Sequence, residues 1–162
     1  MRSQDLVLST DTIPKGTVKK WEWYASSTVT TGTFNNFKIR LCHSPRSALA
    51  RDFATNYGGN TPALVYSKIS QPVGPTPYTW FGFTFDTPFD YNGTANLIVE
   101  VDWNGDSGAE VGNYWSPGTA RCIVSINGAA ANLFNYIHYM RITLEPSAVS
   151  PTSVGRVKAL YR

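Results

Sequence analysis

The alternation of apolar and polar residues in the stretch 78–103 is the feature that most constrains the fold of this chain. Phenylalanine occupies every second position of Phe81–Phe85, and a second alternating run covers Leu97–Trp103. Because successive side chains of a β-strand point to opposite faces, a period of two predicts strands. The Pro and Asn-Gly of Thr87–Thr94 predict a turn between the runs. We therefore expect two long neighbouring antiparallel strands at the centre of the core.

The rest of the chain also favours β-structure. Of its 162 residues, 14% are aromatic and only 15% are charged, a composition typical of strands joined by many turns. We predict an all-β fold in which about eight strands form an antiparallel two-sheet β-sandwich, jelly-roll-like in type. Lys38 and Arg40 are expected to face water. The other predicted strands are Asp5–Ser9, Thr17–Ala25, Phe37–Leu41, Ala63–Ile69, Arg121–Ile126 and Leu133–Leu144.

The C-terminal tail differs from the body of the chain. We expect residues 1–144 to form the sandwich domain and residues 145–162 to form a polar Pro/Ser linker followed by a last strand. That strand can fold back in cis or add to a sheet of a neighbouring subunit, and open head-to-tail addition produces filaments. The predicted assembly strand carries Val154, Val157, Ala159 and Tyr161.

Charge and hydropathy limit the classes of partner that we expect for this chain. The formal net charge is +3, too small to indicate nucleic-acid binding. No run of about 18 apolar residues predicts a membrane span. The first ten residues lack the apolar core of a secretory signal. Either the chain is not exported or a leader has been removed from it, and the composition, which is typical of extracellular proteins, favours the second.

Two cysteines, Cys42 and Cys122, each lie in a predicted strand. In an exported protein they can form one disulfide between neighbouring strands. The alternative is two buried free thiols, since cysteine is often buried as a small apolar residue.

Four segments carry a resemblance to a known group of modules. They are Phe37–His43 (FKIRLCH), Thr79–Phe85 (TWFGFTF), Thr87–Gly93 (TPFDYNG) and Asn96–Trp103 (NLIVEVDW). In this order they resemble jelly-roll or immunoglobulin-like β-sandwich modules of large secreted bacterial cell-surface proteins, over roughly residues 5–144. The resemblance implies a sandwich fold and an extracellular location, and it implies no particular activity. Cys42 stands where a small residue is expected.

A calcium site is the first candidate for chemistry. Oxygen-bearing residues recur through the segment 102–110, and Ca²⁺ takes six to eight oxygen ligands. The spacing departs from an EF-hand loop, and Asp and Asn also occupy ordinary turns. The predicted ligands are Asp102, Asn104, Asp106 and Glu110, and no other cofactor is expected.

A carbohydrate site is the second candidate. Aromatic faces stack on sugar rings, whereas the alternative for each of these residues is core packing. The predicted binding residues are Trp80, Tyr91, Tyr114 and Trp115.

Catalysis has little support in the sequence. His43 and His138 are the two histidines; we expect the first to make strand-end hydrogen bonds and the second to be a satisfied core histidine. No hydrolase, zinc-protease or phosphate-loop motif occurs. We predict a non-enzymatic extracellular structural or adhesive protein that self-associates through its edges or tail. The alternative is a carbohydrate-binding module of a secreted enzyme or adhesin.

Overall fold

The computed structural model describes residues 1–11, 13–126 and 128–146, which form ten β-strands, a 3-10 turn at Ser9–Asp11 and one short α-helix. Every strand pairing in these ranges is antiparallel. The elements are β1 (Arg2–Val7), β2 (Gly16–Thr30), β3 (Gly32–Ser44), α1 (Phe53–Asn56), β4 (Ala63–Val73), β5 (Trp80–Tyr91), β6 (Asn96–Asp102), β7 (Glu110–Asn113), β8 (Trp115–Ser125), β9 (Asn132–His138) and β10 (Met140–Pro146).

Two sheets face each other, as the all-β antiparallel prediction required. Sheet A has six strands in the order β4-β3-β6-β1-β8-β9, and sheet B has the order β10-β2-β5, with β7 paired to the second half of β2. The main core lies between them, because alternate residues of both sheets point inward. Its fully or nearly fully buried members include Val18, Trp21, Trp23, Phe37, Ile39, Leu41, Val65, Leu97 and Val99.

The two alternating runs do not pair with each other, so this part of the prediction is wrong. β5 belongs to sheet B and β6 to sheet A, and the runs face each other across the core. The segment Thr87–Tyr91 continues β5 instead of ending it. Val18 pairs with Phe89 and Lys20 pairs with Thr84. The two partners are further apart in β5 than Val18 and Lys20 are in β2, so β5 contains extra residues that bulge out of the pairing. Proline is tolerated in such an irregular stretch because it has no N–H to donate.

The segment Leu133–Leu144, which was predicted to be one strand, forms two strands in the structure. β9 pairs with β8 in sheet A, and β10 pairs with β2 in sheet B. Tyr139 lies between them, where the chain passes from one sheet to the other. The alternating residues Met140, Ile142 and Leu144 of β10 pack against the main core, whereas the residue of β9 that packs there is Ile137, which has the opposite parity.

The outer face of sheet A is covered by the segment 45–62. Leu6, Cys42, Ile98 and Ile123 form a second apolar cluster there with Leu49 and Tyr57 of the covering segment. The segment contains α1, which is capped by the carboxylate of Asp52. No helix within the described ranges is long and apolar enough to span a bilayer.

A buried carboxylate fixes this cover to the sheet. Glu100 is fully buried and accepts hydrogen bonds from Arg2 at 2.8 Å, Gln4 at 2.9 Å and Arg40 at 3.0 Å. The hydroxyl of Tyr57 also donates to it. Burial and the bond to this carboxylate raise the pKa of Tyr57 to about 12. The expectation that Arg40 simply faces water is wrong, because its guanidinium bonds to Glu100. A buried acid needs such a cationic partner.

Candidate functional site

Five aromatic residues form a continuous patch at one end of sheet B, which we call the aromatic surface. The ring of Tyr24 lies 5.2 Å from that of Trp80 and 5.5 Å from that of Tyr114. Tyr114 in turn lies 6.0 Å from Tyr78 and 6.3 Å from Tyr139. Tyr78, Tyr114 and Tyr139 are exposed. Contiguous exposed aromatics on a folded domain mark an interaction site more often than isolated ones do.

Backbone hydrogen bonds join the chain segments that carry three of these residues. Tyr24 donates its N–H to the carbonyl of Tyr139 at 3.1 Å, and Tyr139 donates to Tyr114 at 2.7 Å. Tyr114 donates to Tyr24 at 2.9 Å, which closes the circuit. Three chain segments therefore cross at this point, and the rings project from a rigid base.

A charged pair borders the aromatic surface on the outer face of sheet B. Arg141 donates to both carboxylate oxygens of Glu22, at 2.7 and 3.1 Å, and its guanidinium lies 4.7 Å from the ring centre of Trp80. The bonds from Arg141, assisted by Lys20, lower the pKa of Glu22 to about 2 despite its burial. The surface thus joins aromatic faces to a planar cation that a buried carboxylate holds in place.

Tyr78 has an unusual backbone conformation for a bulky residue. Its φ is 61°, in the left-handed region that costs a side chain of this kind on the order of 1–3 kcal/mol. Its side chain is 55% exposed, so little core packing offsets that cost. Backbone strain of this type concentrates at binding sites.

The predicted sugar-binding residues divide into three places. Trp80 and Tyr114 belong to the aromatic surface. Trp115 is 55% exposed but points the other way, packing on Tyr136 with a ring distance of 5.3 Å. Tyr91 is buried in the core, and its hydroxyl donates to the carbonyl of Ala95. Tyr91 is therefore not available to a ligand.

Four residues of this site were not predicted from the sequence: Tyr24, Tyr78, Tyr139 and Arg141. Only the position of Tyr24 could be inferred from the sequence. It alternates with the inward tryptophans of its strand, so its side chain had to point outward. Tyr78 and Tyr139 precede or separate strands, where no periodicity applies.

A cavity of about 540 Å³ opens between the two sheets on the side of Trp115. Aromatic residues of both sheets line it, together with the polar side chains of Asp5, Asn113 and His138. Nδ1 of His138 lies 3.0 and 2.9 Å from the two carboxylate oxygens of Asp5. Ligand atoms of Asp5, Cys122 and His138 all lie within 4.8 Å of one another.

The electrostatics of this group follow from burial and from the Asp5 carboxylate. Burial lowers the pKa of His138, but the charge and hydrogen bonds of Asp5 outweigh it and raise the pKa overall. Burial and the charge of Asp5 raise the pKa of the Cys122 thiol, and burial raises the pKa of Tyr136 beside it. Without a bound ion, Cys122 is a protonated thiol and a poor nucleophile.

The predicted calcium ligands do not converge. Asp102 pairs with Arg40, and Asp106 accepts a hydrogen bond from the N–H of Gly108 in its own loop. The side-chain oxygen of Asn104 accepts from the amide of Asn36 at 2.6 Å, and Glu110 is exposed in β7. Among the residues that the structure describes, the acids of this loop form no group around one point.

The predicted disulfide is not formed. Cys42 and Cys122 are both free and buried. They lie in β3 and β8, and β6 and β1 separate these strands in sheet A. Three strand spacings amount to about 14 Å, whereas bridged cysteines have Cα atoms at most about 7 Å apart.

His43 is the penultimate residue of β3, and its ring lies near those of Phe89 and Tyr91. Its Nε2 accepts a hydrogen bond from the backbone N–H of Asn92 at 3.2 Å, as expected for strand-end bonding. Burial lowers the pKa of His43, which favours the neutral form that this bond requires.

Comparisons of the chain with protein-family models, with curated proteins and with solved structures find no match.

Proposed function

We propose that this chain is a non-enzymatic carbohydrate-binding β-sandwich module that recognises glycans through its aromatic surface. The observation that carries the proposal is the backbone circuit of Tyr24, Tyr114 and Tyr139, which brings three aromatic residues together beside Trp80 and Arg141. The resemblance to modules of secreted bacterial cell-surface proteins supports an extracellular location for this activity.

The chemistry of the surface suits sugars. A sugar ring presents apolar C–H faces and a rim of hydroxyls, so it needs flat apolar surface flanked by fixed polar groups. The exposed tyrosines supply the first, while Arg141, which is 51% exposed and is held by Glu22, supplies hydrogen-bond donors on the same face. Hydrogen bonds already hold the backbone beneath the tyrosines and the guanidinium of Arg141, which reduces the conformational entropy lost on binding.

A glycan array followed by isothermal titration tests the proposal. Wild-type protein should bind at least one glycan class. Tyr114 occupies the centre of the patch, and Tyr114→Ala should weaken binding by about 30-fold, as expected for a central aromatic anchor worth about 2 kcal/mol. Tyr78→Asn should also weaken binding while keeping stability, because asparagine tolerates the left-handed conformation.

Ile69→Ser is the matched control. Ile69 is 84% exposed on β4 of the other sheet, so its replacement should leave glycan affinity unchanged. Wild-type protein that binds no glycan, or a Tyr114→Ala variant that binds as tightly as wild type, would refute the proposal.

Self-association is the second candidate function. β4 is an edge strand of sheet A, and it exposes Leu64 and Ile69. Exposed apolar edge strands pair readily with further chains. The predicted assembly strand Val154–Arg162 lies outside the described residues and stays a prediction.

Analytical ultracentrifugation separates the two modes of assembly. Association through β4 predicts that Ile69→Lys lowers the oligomer size, whereas deletion of residues 154–162 leaves it unchanged. Donation of the tail predicts the opposite pattern. A monomer at all concentrations excludes both.

A further inference from the structure

Asp5, Cys122 and His138 come together although they are distant in sequence. They lie on β1, β8 and β9, which are neighbours in sheet A. The pairing of β8 with β9 shifts register between Pro117 and Cys122, and β9 approaches β1 directly in this region. The irregularity therefore lets a residue of β9 reach across β8 to the carboxylate of Asp5.

The three side chains offer one carboxylate oxygen, one thiol sulfur and one imidazole nitrogen. This mixed donor set is the one that zinc prefers, while calcium and magnesium take oxygen ligands alone. In a tetrahedral zinc site with bonds of about 2.0–2.3 Å, neighbouring ligand atoms lie about 3.3–3.6 Å apart. The oxygen and nitrogen atoms here are already 2.9–3.0 Å apart, and the sulfur lies within 4.8 Å of both.

Burial and access also fit a metal site. The side chain of Asp5 is 5% exposed and that of His138 is 16% exposed, while Cys122 is fully buried. Asp5 and His138 line the inter-sheet cavity, which gives an ion a route to the group. A carboxylate at this depth requires a cationic or hydrogen-bonding partner.

We propose that Asp5, Cys122 and His138 bind one Zn²⁺ ion, with the fourth coordination position facing the inter-sheet cavity. The site is separate from the aromatic surface and does not depend on glycan binding. Its open position is the arrangement of zinc sites that hold an exchangeable ligand rather than of closed structural sites with four protein ligands.

Cobalt substitution tests the proposal on untagged protein purified with a chelator. Co²⁺ should give the d–d bands of a tetrahedral ion and a thiolate-to-cobalt charge-transfer band, and Zn²⁺ should displace both. Cys122→Ser should abolish the charge-transfer band. His138→Gln and Asp5→Asn should each weaken Zn²⁺ binding by at least about 100-fold, more than the loss of an outer-shell partner.

Cys42→Ser is the matched control, because Cys42 is the other buried thiol and lies on the opposite face of sheet A. It should keep the cobalt spectrum of wild type. Wild-type protein without a charge-transfer band at excess Co²⁺ shows a hydrogen-bonded group only, and it overturns the proposal whether or not the variants fold. A band that survives in Cys122→Ser does so too.

Discussion

Replacement of Glu22 by glutamine should lower stability at neutral pH and remove one component of acid unfolding. Glu22 is 7% exposed and accepts from Arg141 and Lys20. Its pKa falls from an ordinary value of 4.5 to about 2, which corresponds to about 3 kcal/mol in favour of the charged form. Arg141 is 51% exposed, so solvent screens part of this attraction. We expect Glu22→Gln to lower the free energy of unfolding by about 2 kcal/mol.

The pH dependence has a definite sign. The folded state holds Glu22 ionised to lower pH than the unfolded state does, so unfolding takes up a proton in the interval between the two pKa values. The stabilisation is therefore complete above about pH 4.5 and is lost as pH falls toward 2. The difference in unfolding free energy between wild type and Glu22→Gln should shrink over this same interval.

Urea denaturation followed by tryptophan fluorescence measures that difference at each pH. Glu145→Gln is the control, since Glu145 is 65% exposed and pairs with Lys19 at 3.3 Å; it should change stability by less than about 0.5 kcal/mol. A wild-type-minus-variant difference that stays constant between pH 4.5 and pH 2 would refute the electrostatic reasoning. Unchanged stability of Glu22→Gln at neutral pH would do the same.

Three further predictions concern tightly packed or buried groups of the fold. Tyr57→Phe should lower stability by about 1–2 kcal/mol, because Glu100 loses one of its hydrogen bonds in a buried site; urea titration measures this. Gly82→Ala should lower stability by at least about 3 kcal/mol or prevent folding, since its Cβ would lie 2.0 Å from a backbone carbonyl oxygen of β2; the soluble yield and melting temperature check it. Cys42 and Cys122 should both resist alkylation in the native protein and both react in denaturant without reductant, as mass spectrometry will show.

Periodicity predicted which residues of β2, β5 and β6 face the main core. Trp21 and Trp23 are buried and Tyr24 faces outward, as their alternation required. Val99 is buried, and Phe83 packs against the same core. A period of two reports only the orientation of side chains relative to the strand. That information is independent of the sheet to which the strand belongs, and so the prediction of faces succeeded where the prediction of partners failed.

In sheet A, polar residues at alternate positions do not mark a face that is exposed to water. Gln4 and Glu100 are fully buried although a half-exposed strand would turn them to water. Segment 45–62 covers that face, and its own sequence shows no strong periodicity. The Asp5, Cys122 and His138 group was equally hidden, because its members meet only through the order of β1, β8 and β9.

The two proposed sites lie on opposite sides of the backbone circuit of Tyr24, Tyr114 and Tyr139. Tyr114 belongs to the aromatic surface and Trp115 lines the inter-sheet cavity; likewise Tyr139 lies on the surface and His138 at the cavity. Adjacent residues in extended chain point to opposite sides, so one backbone circuit positions both sites. A change in that backbone must disturb both, whereas truncation of a side chain disturbs one. A Tyr114→Ala variant that loses glycan binding but keeps the cobalt spectrum of wild type would therefore show that the sites act independently.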